Sequence, residues 1–436
     1  MPNINPNSTN YVHSHEPNTN DLVQAMTYDP YGYPVIRIDD TTKQHTSKNR
    51  VKVSTYEITD FGNFTYSKDT DIWDEVTTGT ASATHDPYLG KVELEVGGDA
   101  GDEVIRQTRR VQRYIPGRQS EVAMTVRFGT PTTGIRRRFG IFDALNGAYF
   151  EDGGDGTYYC ATRRNTESGP VDTRIAREDW NVDKLDGTGP SGIVADPTAT
   201  QHMIIEYEWY GAGMVEFKFI INNNAYPIHQ IQTGNVQPYS WASTAALPVR
   251  IELTNVAGTP GTHTFYQGSH SFATEGITEL LGRQQSVASP LAGYDLGTAA
   301  NTFKPVVAIR LKSDRLNGVV LPDEFAGATL DNTSVFVRAI RNATVTGGTW
   351  VSFGADSPVE YNLTATGFTN GDILTTTFIN SGNMGQVFRF PDRSITQIQR
   401  TTTTTIGDTS ETFVIAVAAI ASNKDAWASL GWIEVR

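Results

Sequence analysis

The sequence predicts an almost all-β chain: an antiparallel β-sandwich of jelly-roll type, in two sandwich units, behind an extended N-terminal arm. Three observations carry this. Apolar and polar residues alternate with a period of two in run after run, Gly-, Pro- and Asn-rich turns separate the runs, and helical periodicity is nearly absent.

At 436 residues the chain exceeds what one hydrophobic core serves, about 250–300 residues, so more than one packed unit is expected. Hydrophobic residues make up 38% and aromatics 10%, enough to fill such cores. Charged residues are only 19%, against roughly 25% in an average domain. Thr, Asn, Gly and Ser stand in their place, the residues of exposed β-faces and tight turns.

The arm comes first, over residues 1–50. Residues 1–20 are rich in Asn, Pro, Ser and Thr and hold almost nothing to bury, so alone they predict no packed structure. A short helix is expected at Asp21–Met26, capped by Asn20 or Asp21. The aromatic, turn-rich stretch from Tyr28 through Tyr31 and Tyr33 to Pro34 follows, then a strand at Val35–Ile38. Aromatics without a core of their own read as docking residues, onto a neighbouring subunit or onto the chain's own body.

From residue 51 to about 285 the strands of a large sandwich are legible. Val122, Met124, Val126 and Phe128 alternate with Glu121, Ala123, Thr125 and Arg127. The same rhythm marks Ile204–Trp209, Val215–Ile221 and Val249–Leu253, with Arg250 and Glu252 on the alternate face of the last. Turns are expected at Asn222–Asn224 and Gly258–Gly261. A smaller sandwich over 286–436 draws on Lys304–Lys312, Ser334–Ile340, Val359–Leu363, Gln386–Phe390 and Thr412–Ala421, unless these strands complete the first sheet. Glu275–Arg283 is the other helix candidate. The five threonines Thr401–Thr405, leading into Ile406-Gly407-Asp408, read as an exposed strand and hairpin ahead of a low-complexity linker.

Charge and cysteine content exclude several function classes. A net charge of −13 opposes nucleic-acid binding outside a local basic patch. The lone Cys160 excludes an intrachain disulfide and a cysteine-based zinc cluster, and its apolar setting, Tyr158-Tyr159-Cys160, reads as an inert buried thiol. Met1-Pro2-Asn3-Ile4-Asn5 lacks a charged segment leading into an apolar run, so no signal peptide is predicted, and no stretch reaches the roughly 20 apolar residues of a membrane span.

Four constellations bear on chemistry. Asp179, Asn181 and Asp183 place oxygens at every second position, as a calcium loop begins, but Lys184 and Pro190 stand where a glycine and a bidentate glutamate belong. An Asx-turn loop ending at Gly187 is the better reading; no metal and no cofactor are expected, and His13 and His15 on the arm form no closed site. Glu151–Gly156 reads as a hairpin turn. Glu206 and Glu208 share one strand face about 6.6 Å apart, the pattern of a glycosidase acid pair and equally of any wet strand face. Arg106, Arg109, Arg110, Arg113 and Arg118, then Arg136, Arg137, Arg138, Arg163 and Arg164, concentrate cations in an acidic chain. Their expected role is an ion-pair surface between subunits, the alternative a set of solvated strand faces.

Arg109–Arg118, Arg136–Asp143 with Asn146-Gly147, Asp179–Gly192 and Ile309–Ser313 resemble segments of virion structural proteins of tailed bacteriophages, especially marine cyanophages, and the likeness runs in order over residues 20–436. It implies a virion component without enzyme activity, made in the host cytoplasm, in the tail, baseplate, neck or head fibre. It also implies other virion proteins as partners and a homo-oligomer, by family analogy a trimer. The missing disulfides and signal peptide suit assembly in a reducing cell. A host-recognition module would be the alternative, its sign a glycan platform of Trp180, Trp209, Tyr210 or Trp241; a jelly-roll glycan hydrolase using Glu206 and Glu208 is the third reading.

Overall fold

The computed structural model describes residues 26–28, 34–36, 56–276, 282–329, 333–380, 386–390 and 396–435. It divides into an N-terminal unit, Met1–Val53, and a body, Ser54–Arg436. In the first unit β1 (Met26–Tyr28) pairs antiparallel with β2 (Pro34–Ile36). Met26 is therefore extended where the helix candidate was expected to end; residues 21–25, Tyr31 and Tyr33 lie outside the described residues.

The regular structure described in the body is strand, apart from one 3₁₀ turn at Arg177–Asp179. Its first part runs through β3 (Tyr56–Gly62), β4 (Trp73–Thr78), β5 (Ser82–Asp86), β6 (Lys91–Val96), β7 (Glu103–Thr108) and β8 (Ser120–Arg127). Next come β9 (Ile135–Phe142), β10 (Gly147–Asp152), β11 (Tyr158–Thr166), β12 (Gly169–Ala176), β13 (Gln201–Tyr207) and β14 (Met214–Ile221). It closes with β15 (Asn224–Gln232), β16 (Val249–Asn255) and β17 (His263–Glu275). A seven-stranded sheet takes the order β12-β11-β10-β9-β16-β7-β4, and an eight-stranded sheet β15-β14-β13-β8-β17-β6-β5 with β3 beside β17. Sequence-distant neighbours such as β9–β16 and β8–β17 are the crossovers of a sandwich, and all these pairs are antiparallel. The β14–β15 hairpin turns at Asn222 and Asn223, both with positive φ (52° and 62°), the conformation that short asparagine turns accept.

Alternation decides what lies between the sheets. Ile135, Phe139 and Ile141 of β9, Ile251 and Leu253 of β16 and Phe150 of β10 meet Val122, Met124 and Val126 of β8 and Phe217 of β14 in one core. Phe150 packs edge-on to Phe217 at 5.0 Å and stacks on Phe139 at 5.1 Å. Cys160 is buried in the same core, and desolvation pushes its thiol pKa up.

The second part of the body runs through β18 (Arg283–Ala288), β19 (Tyr294–Asp295), β20 (Lys304–Leu311), β21 (Val319–Ala328), β22 (Val335–Arg341), β23 (Thr344–Thr346), β24 (Val351–Ser352) and β25 (Val359–Asn362). After these come β26 (Gly367–Thr369), β27 (Asp372–Ile379), β28 (Gln386–Arg389), β29 (Arg400–Thr401), β30 (Thr409–Ser410), β31 (Thr412–Ala419) and β32 (Asp425–Val435). Sheets β18-β32-β21-β28 (with β19 beside β32) and β24-β25-β20-β31-β22-β27 enclose a second core that includes Ile309, Val337, Ile415 and Trp432. Among the described residues no strand from Arg283 onward pairs with one before it.

Two local expectations change. Glu275 ends a strand and Arg283 begins one, so the helix candidate keeps only residues outside the described ones. Of the threonine run only Thr401 lies in a strand, the two-residue β29 paired with β30, and Thr402–Thr405 form no strand. The reason is Asp408: its carboxylate accepts the backbone N–H groups of Thr403, Thr404 and Thr405 and the hydroxyls of Thr403 and Thr404, all at 2.7–2.9 Å. Five donors on one carboxylate curl the chain into a loop.

Candidate functional site

The outward face of the seven-stranded sheet is where charge collects. On β9 the odd positions face the core, so Arg136 and Arg138 are turned outward while Arg137 points in. Register then places Glu151 of β10 and Glu252 of β16 on either side of Arg138. Its guanidinium Nε lies 2.5 Å from Glu151, and its terminal nitrogens lie 3.5 Å from Asp172 and 3.8 Å from Glu252. Arg163 grips Asp172 with two bonds, 2.7 and 3.1 Å, the bidentate geometry an arginine fork favours. Arg250 donates to Glu252 at 2.6 Å and to Gln107 at 3.1 Å, and Arg174 donates to Glu151.

Phe142 and Tyr149, 4.9 Å apart, form an aromatic floor beneath these cations. Arg138 lies 5.0 Å from the Tyr149 ring and Arg250 5.5 Å from that of Phe142. Glycine permits the floor: a Cβ on Gly140 would stand 2.3 Å from the Ala148 carbonyl, and one on Gly147 2.1 Å from the Phe142 Cβ. Burial would raise the Glu252 pKa, but Arg250, Arg138 and Arg163 outweigh it and hold the carboxyl below its usual range. Asp172 is likewise held down, by Arg163 against its burial.

Two adjoining cavities open along this face and share Ala144 and Arg250. The smaller, about 260 Å³, is lined by Arg136, Arg138, Arg163 and Arg250 with Glu103, Asp172 and Glu252. The larger, about 720 Å³, lies where Gln107, Asp143 and Arg250 meet the 313–318 segment and Arg400 from the second part of the body. Arg400 is 6% exposed; one terminal nitrogen donates to Asn317 at 2.9 Å and lies 3.8 Å from Asp143. Its Nε and other terminal nitrogen have no hydrogen-bond partner. Burial and the like charge of Arg250 lower its pKa, against the pull of Asp143.

The predicted site residues fall as follows. Four of the arginines expected at subunit interfaces, Arg109, Arg110, Arg137 and Arg138, lie beside carboxylates of the same chain. Arg109 binds Asp74 at 2.7 Å, Arg110 lies 3.7 Å from Asp60, and Arg137 binds Asp152 at 2.6 Å in the core. The cause is register, which sets acidic strands beside basic ones. Arg113 is half-buried, its pKa lowered by burial despite Glu57. Arg106 is fully buried, 3.3 Å from Glu75, and burial lowers its pKa to about 10. Arg164 covers the Tyr239 ring at 4.0 Å.

Glu206 and Glu208 are buried, not on a wet face. Lys218 lies 2.7 Å from Glu206 and 2.9 Å from Glu216, and those two carboxylates raise its pKa over the effect of burial. Trp180 and Trp241 are buried, and Trp209 is half-buried with its indole N–H on the Ala242 carbonyl at 2.8 Å. Of the expected platform only Tyr210 is exposed.

In the calcium-like loop the Asp183 carboxylate accepts the N–H groups of Leu185 at 2.9 Å and Ser191 at 2.8 Å, the Asx-turn arrangement. Asn181 exchanges bonds with the Gln230 backbone, both 2.9 Å, and Asp179 closes a single 3₁₀ turn. No group of three or more His, Cys, Asp or Glu among the described residues is arranged to hold a metal. Arg250 and Glu252 were legible as the alternate face of a strand. Arg400 and Asp143 carried no local signal.

No known family matches the chain, and no curated protein does. Solved structures do. The CBM2 module of the evolved Dit of Lactobacillus casei BL23 phage J-1 is 9% identical, with 52% of this chain and 99% of that one covered at a TM-score of 0.34. A Bacteroides ovatus GH16 from a mixed-linkage glucan locus, in complex with its product, is 9% identical over 49% of this chain and 100% of that one, TM-score 0.33. A legume lectin-like domain from Entamoeba histolytica is 8% identical over 50% and 98%, TM-score 0.31.

Proposed function

We propose that the chain is a non-catalytic structural component of a tailed-phage virion, in the tail, baseplate or fibre, with its N-terminal segment as the attachment element and its sandwiches as scaffold. The observation that carries this reading is the division of the chain into Met1–Val53 and a separate body. A first unit with contacts of its own is the segment proposed to dock on a neighbour, with the aromatic Tyr28, Tyr31 and Tyr33 as its contact residues. The resemblance to phage virion proteins supports the same assignment, with a homo-oligomer, a trimer, as the assembled form.

The hydrolase reading is disfavoured by burial: Glu206 and Glu208 are closed off from solvent, and Lys218 occupies the Glu206 carboxylate at 2.7 Å. Deleting residues 1–35 tests the attachment role. The truncated chain is expected to keep its strand content and lose incorporation into particles; normal incorporation would refute the role. Light scattering on the purified full chain checks the assembled form, a trimer supporting the proposal and a strict monomer opposing it.

A further inference from the structure

Beyond assembly, the groove on the seven-stranded sheet has the chemistry of a binding site, and we propose that it takes an acidic saccharide, a short chain of uronate sugars. The argument starts from two arginines. Arg136 lines the smaller cavity, its Nε buried without a hydrogen-bond partner, and it forms no ion pair among the described residues. Every other arginine lining that cavity is paired, Arg138 and Arg163 to Asp172 and Arg250 to Glu252.

Arg400 lines the larger cavity with Nε and one terminal nitrogen unpartnered. Those two N–H groups lie on one edge of the guanidinium and point the same way, the spacing of a carboxylate's two oxygens. Buried donors left unmade are costly, so such an edge is built for an acceptor. Gly407 borders it closely: a Cβ there would stand 3.5 Å from Arg400 Cζ and 3.0 Å from the Gln107 amide.

The rest of the lining selects among anions. Asp143, Asp314, Asp356 and Glu434 border the same cavity, and they repel a ligand of dense charge such as a polyphosphate. They accept hydroxyl hydrogens instead. Leu145, Leu316, Pro358 and Ile406 add apolar wall for the C–H faces of a sugar ring. One carboxylate per ring, several hydroxyls and a flat apolar face describe a uronate. A cavity of about 720 Å³ falls in the range of small-ligand sites, roughly 300–1,000 Å³.

The test is calorimetric titration of the full-length chain with an oligogalacturonate, alongside a neutral malto-oligosaccharide and inorganic phosphate. Binding of the oligogalacturonate alone is expected, weakened at least tenfold in both Arg136→Gln and Arg400→Gln. Arg136→Gln removes no ion pair, so it decides the matter should Arg400→Gln fail to fold. No binding of the oligogalacturonate, equal binding of the neutral sugar, competition by phosphate at equal concentration, or undiminished binding by folded variants would each overturn the proposal. Because the isolated chain is used, these outcomes are independent of incorporation into a particle.

Discussion

Removing the Asp152 carboxylate is expected to be among the most damaging single changes in the body. Arg137 and Asp152 meet at 2.6 Å between the two sheets of the first sandwich, 2% and 0% exposed. Arg137 also reaches across the core to the Thr264 carbonyl of β17 at 2.9 Å, and Asp152 accepts the Gly154 N–H at 2.9 Å. Burial raises the Asp152 pKa, opposed by Arg137, so the pair is held together by mutual need. Asp152→Ala strands a guanidinium in the core with one carbonyl partner, a loss of about 3–5 kcal/mol. For a unit of this size that lowers the unfolding midpoint by about 10 °C. The double variant Arg137→Met/Asp152→Leu removes both charges and is expected within about 1 kcal/mol of the native chain, since a desolvated pair gains little over apolar packing. Thermal and urea unfolding followed by tryptophan fluorescence measures all of these. A cost below about 1 kcal/mol for Asp152→Ala, or a double variant as unstable as the sum of the singles, would refute the reasoning.

Three further outcomes are expected. Glu411 is buried, and desolvation raises its pKa to about 7 despite Arg341, so the folded chain keeps a proton that the unfolded chain releases near the usual 4.5. Its stabilising contribution is therefore complete below pH 4.5 and is lost as pH rises to 7, a slope totalling about 3 kcal/mol that Glu411→Gln should flatten in urea titrations at stepped pH. Gly140→Ala is expected to destabilise by about 1–3 kcal/mol through collision with the Ala148 carbonyl, and a neutral effect in thermal unfolding would contradict the close packing described. Asp408→Ala removes the acceptor of five threonine donors and should make the 402–407 loop cleavable by a nonspecific protease at a concentration that spares the native chain.

Strand existence was readable because it depends on a local property, the period-two alternation that puts one face in water and one in the core. Val122–Arg127, Val215–Ile221 and Val249–Leu253 all stand within the sheets where the pattern placed them, and Phe128 follows just past its strand. The Asx-turn at Asp183 was equally local, since its acceptor and a donor lie two residues apart. What alternation cannot say is whether the polar face meets water. Glu206, Arg138 and Glu252 look like solvated strand positions, yet each is buried against an opposite charge, Glu206 against Lys218 of the next strand and Arg138 against Glu252 of a strand distant in sequence. Register across the sheets, set by packing of the apolar face, decides which charges become neighbours.

The sequence by itself therefore determined the fold class, the strand positions and the turn chemistry, all of which follow from neighbours a few residues apart. Only the tertiary structure decided that Arg109, Arg137, Arg138 and Arg163 pair with carboxylates of the same chain, and that Arg400 comes to lie in one cavity with Arg250, 150 positions earlier in the chain. That juxtaposition depends on how two sandwiches pack, and no residue near Arg400 encodes it.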